Sequence, residues 1–245
     1  MAKKHPGRRH LPKGLEILYE DDDLLVIDKS AGLLTVGTAT DKTRTAQYIL
    51  TDYVRKGCAK SRNRVFVVHR LDQWTSGVLI FAKSEEIKNC LQDNWKNTEK
   101  TYLAVVHGRL KEKQGVITSY LAENSAYTVY STTDTSKGRL SHTEYKVIKE
   151  TENFSLVEIN LLTGRKNQIR VHLSDKGHPI VGDRKYGLSR ALSSGLSRAQ
   201  SNGRKNDDHK RLALHAKSIS FTHPVTGEQM NFTTKTPAYF NDLMK

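Results

Sequence analysis

Apolar residues in this chain fall mostly into short runs of five to ten, and their period changes along the sequence. Leu15–Tyr19 and Leu24–Asp28 flank Glu20-Asp21-Asp22-Asp23, which predicts a hairpin. Asp41–Gly57 has helical spacing at Ala46, Ile49, Leu50, Tyr53 and Val54, with Gly57 as the stop. Val65–Val68 and Val78–Ala82 are β-branched or aromatic and too short for helices, so they predict strand, turn and strand. From Ser84, a suitable N-cap, to about Asn97, the residues Ile87, Leu91 and Trp95 share one helical face. Lys100–Gly108 reads as a strand, followed by candidates at Val116–Leu121, Ala126–Thr132, Leu140–Lys149 and Phe154–Leu162. Alternation over Ser141–Val147 suits a sheet with one wet face. Arg211–Ala216, Ile219–His223 and Met230–Thr234 close the series, with a turn at Pro224–Gly227 and a short helix at Pro237–Leu243. So many strands in antiparallel succession predict an α+β protein, built on a large, mostly antiparallel sheet with a few flanking helices.

Two segments carry neither period. Met1–Gly14 holds five Lys or Arg, no acidic residue and almost nothing apolar, and reads as a flexible basic arm ahead of a domain spanning 15–245. Leu188–Asp208, rich in Ser, Gly, Arg and Lys, reads as a mobile loop, and 184–211 carries eight Lys or Arg. Either segment suits contact with phosphates or a plain solvated surface.

Charge narrows the partner class. Forty Lys and Arg against 26 Asp and Glu leave a net charge of +14 and a pI near 9.7, which predicts a polyanionic partner through counterion release. Cys58 and Cys90 have no CxxC spacing and make no disulfide framework, which fits a reducing, cytoplasmic setting. No apolar stretch approaches the roughly 20 residues of a membrane span, and the N-terminus lacks a secretory apolar core. A monomer without membrane attachment is expected.

Chemistry is most concentrated where the first short strand of the pair ends. His69-Arg70-Leu71-Asp72 follows Val65–Val68, and Thr75-Ser76-Gly77 turns the chain into Val78–Ala82. A strand end sets a carboxylate rigidly while the next loop lets a substrate approach. Taken alone, an Arg-x-Asp pair is more often a structural ion pair than a catalytic one. The whole string, HRLDxxTSG between two apolar runs, resembles the active-site motif of the RluA-type pseudouridine synthases. Lys100-x-Tyr102-x-Ala104 with Gly108, and Gly164-Arg165-Lys166-Asn167-Gln168-Ile169-Arg170-Val171-His172-Leu173, are similar to that family's second and third motifs. Lys29–Thr35 is similar to its Lys-Pro-x-Gly segment, with Ser30 in place of proline, and 177–187 is also close to the family pattern. The similarity covers about residues 15–240.

The resemblance implies a pseudouridine synthase catalytic fold with a central active-site cleft. It also implies RNA as substrate, ribosomal or transfer, with a slight preference for ribosomal RNA. It places the essential carboxylate on Asp72, the active-site tyrosine on Tyr102 and the arginine that pairs with the aspartate on Arg170. Arg70 would fill the gap left by a flipped base or hold a flanking phosphate, and Arg165 and Lys166 are further phosphate ligands. About a dozen residues precede the first strand, too few for the separate RNA-binding domain that some relatives carry. Isomerisation moves no electrons overall, so no cofactor is expected. No Walker loop, GxGxxG, HExxH or paired Cys/His set occurs, and no metal is expected. His69 and His172 read as structural hydrogen-bonders. The rival reading is an RNA-binding or ribosome-assembly factor on the same scaffold, against which the trio Asp72, Tyr102 and Arg170 speaks.

Overall fold

A computed structural model describes residues 14–38, 41–58, 60–187, 209 and 211–245. The expected arm, Gly14 apart, and the expected loop at 188–208 lie outside the described residues. The chain divides into two compact units, Met1–Thr98 with Ser218–Thr234, and Glu99–Lys217 with Lys235–Lys245.

In the first unit, β1 (Leu15–Glu20) and β2 (Leu24–Lys29) form the predicted hairpin. Asp21 caps its turn, because its Oδ1 accepts from the backbone N–H groups of Asp23 and Leu24 at 2.8 and 2.6 Å. Strand β3 is only Phe66–Val67, whereas β4 spans Ser76–Ala82 and is buried at every position. The order is β1-β2-β4-β10, with β3 pairing β4 and β11 (Gln229–Thr233) pairing β10 (Leu214–Thr222). The two closing segments expected at 211–216 and 219–223 are thus one strand. Helix α1 (Ala46–Arg55) is capped by Thr45, whose hydroxyl accepts from Tyr48 N–H at 3.1 Å. It ends two residues before the predicted glycine, with its C-cap, Lys56, in the left-handed region at φ 50°. Helix α2 (Glu85–Asp93) starts at the Ser84 cap, and a 3-10 turn over Trp95–Asn97 completes the predicted helix.

In the second unit the order is β5-β9-β8-β6-β7, all antiparallel. These strands are β5 (Glu99–His107), β6 (Gln114–Glu123), β7 (Val129–Thr132), β8 (Arg139–Glu150) and β9 (Phe154–Leu161). Strand β7 is shorter than its apolar pattern, because Asn124 bends the preceding residues. Its Oδ1 accepts from the N–H groups of Ala126 and Thr128. Helix α3 (Gln168–Asp175) packs on β6, β7 and β8, and α4 (Ala238–Leu243) ends the chain with Phe240 buried. The third motif has no apolar stripe because α3 is buried nearly all round, with Gln168, His172 and Ser174 covered as fully as Ile169 and Val171. Its first helical residue is Gln168, and its N-cap, Asn167, sits in the left-handed region at φ 53°.

The architecture is therefore α+β, mostly antiparallel, with four helices among the described residues. Among the described residues two isolated bridges lie outside the strands, Leu34 to Thr45 parallel and Val106 to Ile180 antiparallel. Leu79, Ile80 and Phe81 are wholly buried, and truncating any one to Ala costs about 3–4 kcal/mol. That core is what holds the β3–β4 connection, and Asp72 with it, in one geometry.

Candidate active site

Asp72 lies between β3 and β4, half-buried, in a turn closed by Thr75 N–H donating to Asp72 O at 3.1 Å. The turn is clamped by residues 29–35. Thr35 Oγ1 donates to Leu71 O at 2.8 Å and accepts from Leu71 N–H at 3.2 Å, so one buried hydroxyl fixes the peptide beside Asp72. Gly32 N–H donates to Gln73 O at 2.8 Å, and Gln73 Nε2 returns a bond to Gly32 O. Gly32 sits at φ 96°, a backbone conformation that is strained for residues with a side chain, which explains the glycine of the Lys-x-x-Gly segment. Arg70 and Trp74 point outward, Trp74 with half its surface exposed. His69 takes the structural role expected of it, since its Nε2 accepts from Ile80 N–H at 3.1 Å and its ring lies on Trp95.

Lys29, the last residue of β2, is fully buried. Its Nζ donates to Leu33 O at 2.8 Å, Ser30 O at 3.1 Å and Gln73 O at 3.2 Å. An ammonium has three N–H donors and no acceptor, so three carbonyls match its charged form. Burial nonetheless pushes this group down to about 7, while the Asp72 and Asp28 carboxylates hold it up. Lys29 thus carries a positive charge near Asp72 below about pH 7 and tethers the residue that follows the aspartate. Asp28, on the opposite face of β2, is raised by its own burial to about 6.

In the second unit, Tyr102 stands on β5 opposite Ile159, with 8% of its surface exposed. Arg170, on the first turn of α3, makes a two-pronged pair with Asp183: Nε to Oδ2 and Nη2 to Oδ1, both 2.8 Å. Asp183 is buried, and its Oδ1 also accepts from the N–H groups of Lys185 and Tyr186. The Arg170 guanidinium lies 5.0 Å from the centre of the buried Tyr186 ring. A fork held this way cannot rotate, which fixes the direction of its charge. Arg165 and Lys166 are exposed at the turn before α3, where Gln168 Oε1 accepts from Arg165 N–H and from Thr163 Oγ1. Lys166 pairs with Glu123 and lies over the exposed Tyr127 ring at 5.4 Å. His172 is buried between Ser119 Oγ and Thr143 Oγ1, the structural role expected of it.

Asp72 and Arg70 stand on one loop, and Arg165, Lys166 and Arg170 stand on one turn and helix start. Sequence reasoning missed Lys29, Thr35 and Asp183 as positioning residues. The trace of Lys29 in the sequence is a lysine on the face of β2 that also carries Leu25 and Ile27. Asp183 left only its place in a Gly-Asp-Arg-Lys-Tyr-Gly string.

Beside the sheet, the clamped aspartate loop and the basic turn before α3, comparison with known proteins gives the family. Residues 23–175 match the RNA pseudouridylate synthase family. The tRNA pseudouridine synthase C of Haemophilus influenzae is 34% identical over 248 residues, covering 94% of this chain and 96% of that protein. The ribosomal large subunit pseudouridine synthase C of Rickettsia bellii is 35% identical over 230 residues, covering 92% and 69%. The solved structure of human RNA pseudouridylate synthase domain containing 1 superposes with a TM-score of 0.70 at 27% identity, covering 96% and 87%. The chain belongs to the RluA-type RNA pseudouridine synthases and is an isomerase. None of its described helices is long and apolar enough to cross a membrane.

Proposed function

We propose that this chain isomerises uridines in structured RNA with Asp72 as the catalytic carboxylate, Tyr102 against the uracil and Arg170 as the cation that favours the ionised aspartate. The observation that carries this reading is the Asp72 turn itself. Its backbone is held by Thr35, Gly32 and Lys29, and the Lys29 amine, charged below about pH 7, lies in the field of the Asp72 carboxylate. Such preorganisation suits a carboxylate that must stay ionised through a reaction.

The reaction breaks the bond from N1 to C1′, turns the uracil and joins C5 to C1′. A carboxylate serves it either by attacking C1′ or by removing the C2′ proton to give a glycal. C1′ and C5 are inaccessible in stacked RNA, so the nucleotide must be flipped, and the exposed Arg70 is placed to fill the vacated space or hold a flanking phosphate. Arg165 and Lys166 supply further phosphate contacts. Residues 15–245 act in this reading as one catalytic module, working as a monomer without metal or cofactor. Relatives named for transfer RNA and for ribosomal RNA stand at 34% and 35% identity, so both RNA classes are substrates to test.

The test is tritium release from transcripts containing [5-³H]uridine, because the C5 hydrogen must leave as C5 becomes the glycosidic carbon. Wild-type protein should release tritium from a ribosomal or a transfer RNA transcript, and Asp72→Asn should not. Equal release by both proteins would remove Asp72 from the chemistry. No release by either, with tight RNA binding, would favour the assembly-factor reading.

A further inference from the structure

The first unit carries a basic concavity apart from the Asp72 turn. A cavity of about 320 Å³ opens beside α1 and the segment that enters β3, lined by Lys42, Arg55 and Arg64 together with Tyr48, Thr51 and Asp52. Three cations against one carboxylate make it positive. The surrounding stretch 41–64 holds seven Lys or Arg and two Asp. Helix α1 buries Ala46 and Leu50, whereas Tyr48 turns outward with 51% of its surface exposed.

The walls are built rather than accidental. Arg55 Nε donates to Asn63 O at 3.2 Å, which ties the last turn of α1 to the segment before β3. The Arg64 guanidinium rests 4.7 Å from the centre of the Phe66 ring, and Val65 N–H donates to Thr51 Oγ1 at 3.4 Å. The same helix is bonded to the clamp on the aspartate turn. Ala46 N–H donates to Leu34 O and Gln47 N–H to Thr35 O, while the Thr35 hydroxyl holds Leu71. Cavity and Asp72 turn are therefore set by one hydrogen-bonded network within one unit.

An exposed aromatic ring beside clustered guanidinium and ammonium groups is the combination that binds single-stranded nucleic acid, through phosphate contacts and stacking. A cavity of this size also falls in the range that takes a small ligand, and a merely solvated basic face would not need to be concave. We propose that this cavity is a second RNA-contact site. It takes a backbone phosphate against Lys42, Arg55 and Arg64 and stacks an adjacent base on Tyr48, gripping a nucleotide other than the one isomerised. The inference rests on the reading of the chain as an RNA uridine isomerase.

The experiment measures binding of a fluorescein-labelled transcript across a salt series in the Asp72→Asn background, where no turnover interferes. Turnover by tritium release is measured in the wild-type background. The variants are Lys42→Gln/Arg64→Gln and Tyr48→Ala, with Lys111→Gln/Lys146→Gln, two exposed lysines of the second unit, as the charge-matched control. The cavity double variant should weaken binding about tenfold more than the control. It should also reduce the salt slope by about 1–2, the release expected from one or two phosphates. Tyr48→Ala should weaken binding several-fold with the slope unchanged, and kcat at saturating RNA should stay within about twofold for both. Thermal melts check folding, and if the double variant melts early, the exposed Lys42→Gln alone carries the comparison. Cavity variants that bind like the control would overturn the proposal. Absence of tritium release by the wild type would sink the isomerase reading alone, because the binding series needs no turnover.

Discussion

At the scale of single residues, Lys29 links stability and chemistry most directly. Its ammonium satisfies three partly buried carbonyls, one of them on Gln73 next to Asp72. Lys29→Met fits the stem but leaves those carbonyls unpaired, and should lower unfolding free energy by about 3 kcal/mol in urea titrations. It should also lower kcat more than RNA affinity. The pH dependence has a definite sign. Folded Lys29 titrates near 7 and unfolded lysine near 10.5, so between those values the unfolded chain binds more protons. The wild type should therefore gain stability relative to Lys29→Met as pH rises from about 7 towards 10, and parallel curves would show that Lys29 stays charged throughout. Asp72→Asn should cost on the order of 10⁴ in kcat while RNA affinity stays within a few-fold. Asp72 was legible because it stands in a long local string. Lys29 was not, because its three acceptors come together only when residues 30, 33 and 73 fold around it.

At the scale of elements, α3 and the turn at 180–187 form one device. Arg170 projects from the helix, Asp183 from the turn, and the buried Tyr186 ring backs the guanidinium. Asp183→Asn breaks the fork and leaves a guanidinium short of its carboxylate, a change worth about 3 kcal/mol of stability. Arg170→Lys cannot make two parallel bonds, so it should lower kcat without restoring the pairing. Either variant with unchanged kcat would remove Arg170 from the site. The same helix carries His172, whose burial, with His142 nearby, pushes it down to about 4. Folded His172 stays neutral while unfolded histidine protonates near 6.5, so stability should fall by roughly 3 kcal/mol as pH drops from 6.5 to 4. His172→Gln should flatten that part of the curve. The element type of α3 was hard to read because burial on nearly every side erases the apolar stripe that marks a surface helix.

At the scale of the whole molecule, a net charge of +14 makes RNA affinity depend on salt. If residues 188–208 face the RNA, neutralising Arg190, Arg198, Arg204 and Lys205 together should weaken binding and flatten the slope of log K against log salt by up to about 3. An unchanged slope would make that segment a passive insertion. Charge predicted a polyanionic partner in general, and the family narrows that partner to RNA without selecting ribosomal or transfer RNA.

The sequence by itself determined the α+β class, the β1–β2 hairpin, the strands around Asp72 and the family. Period, turn chemistry and motif strings are local properties that the linear order preserves. Only the tertiary structure decided that Leu214–Thr222 is one strand, that α3 starts at Gln168, and that Thr35 and Lys29 hold the aspartate turn. It likewise decided that Asp183 holds Arg170 and that α1 and the segment before β3 enclose a basic cavity. These features join residues far apart in the chain, or depend on what covers each face of an element. A pattern read along one dimension carries the propensity of each segment but not the partner it meets.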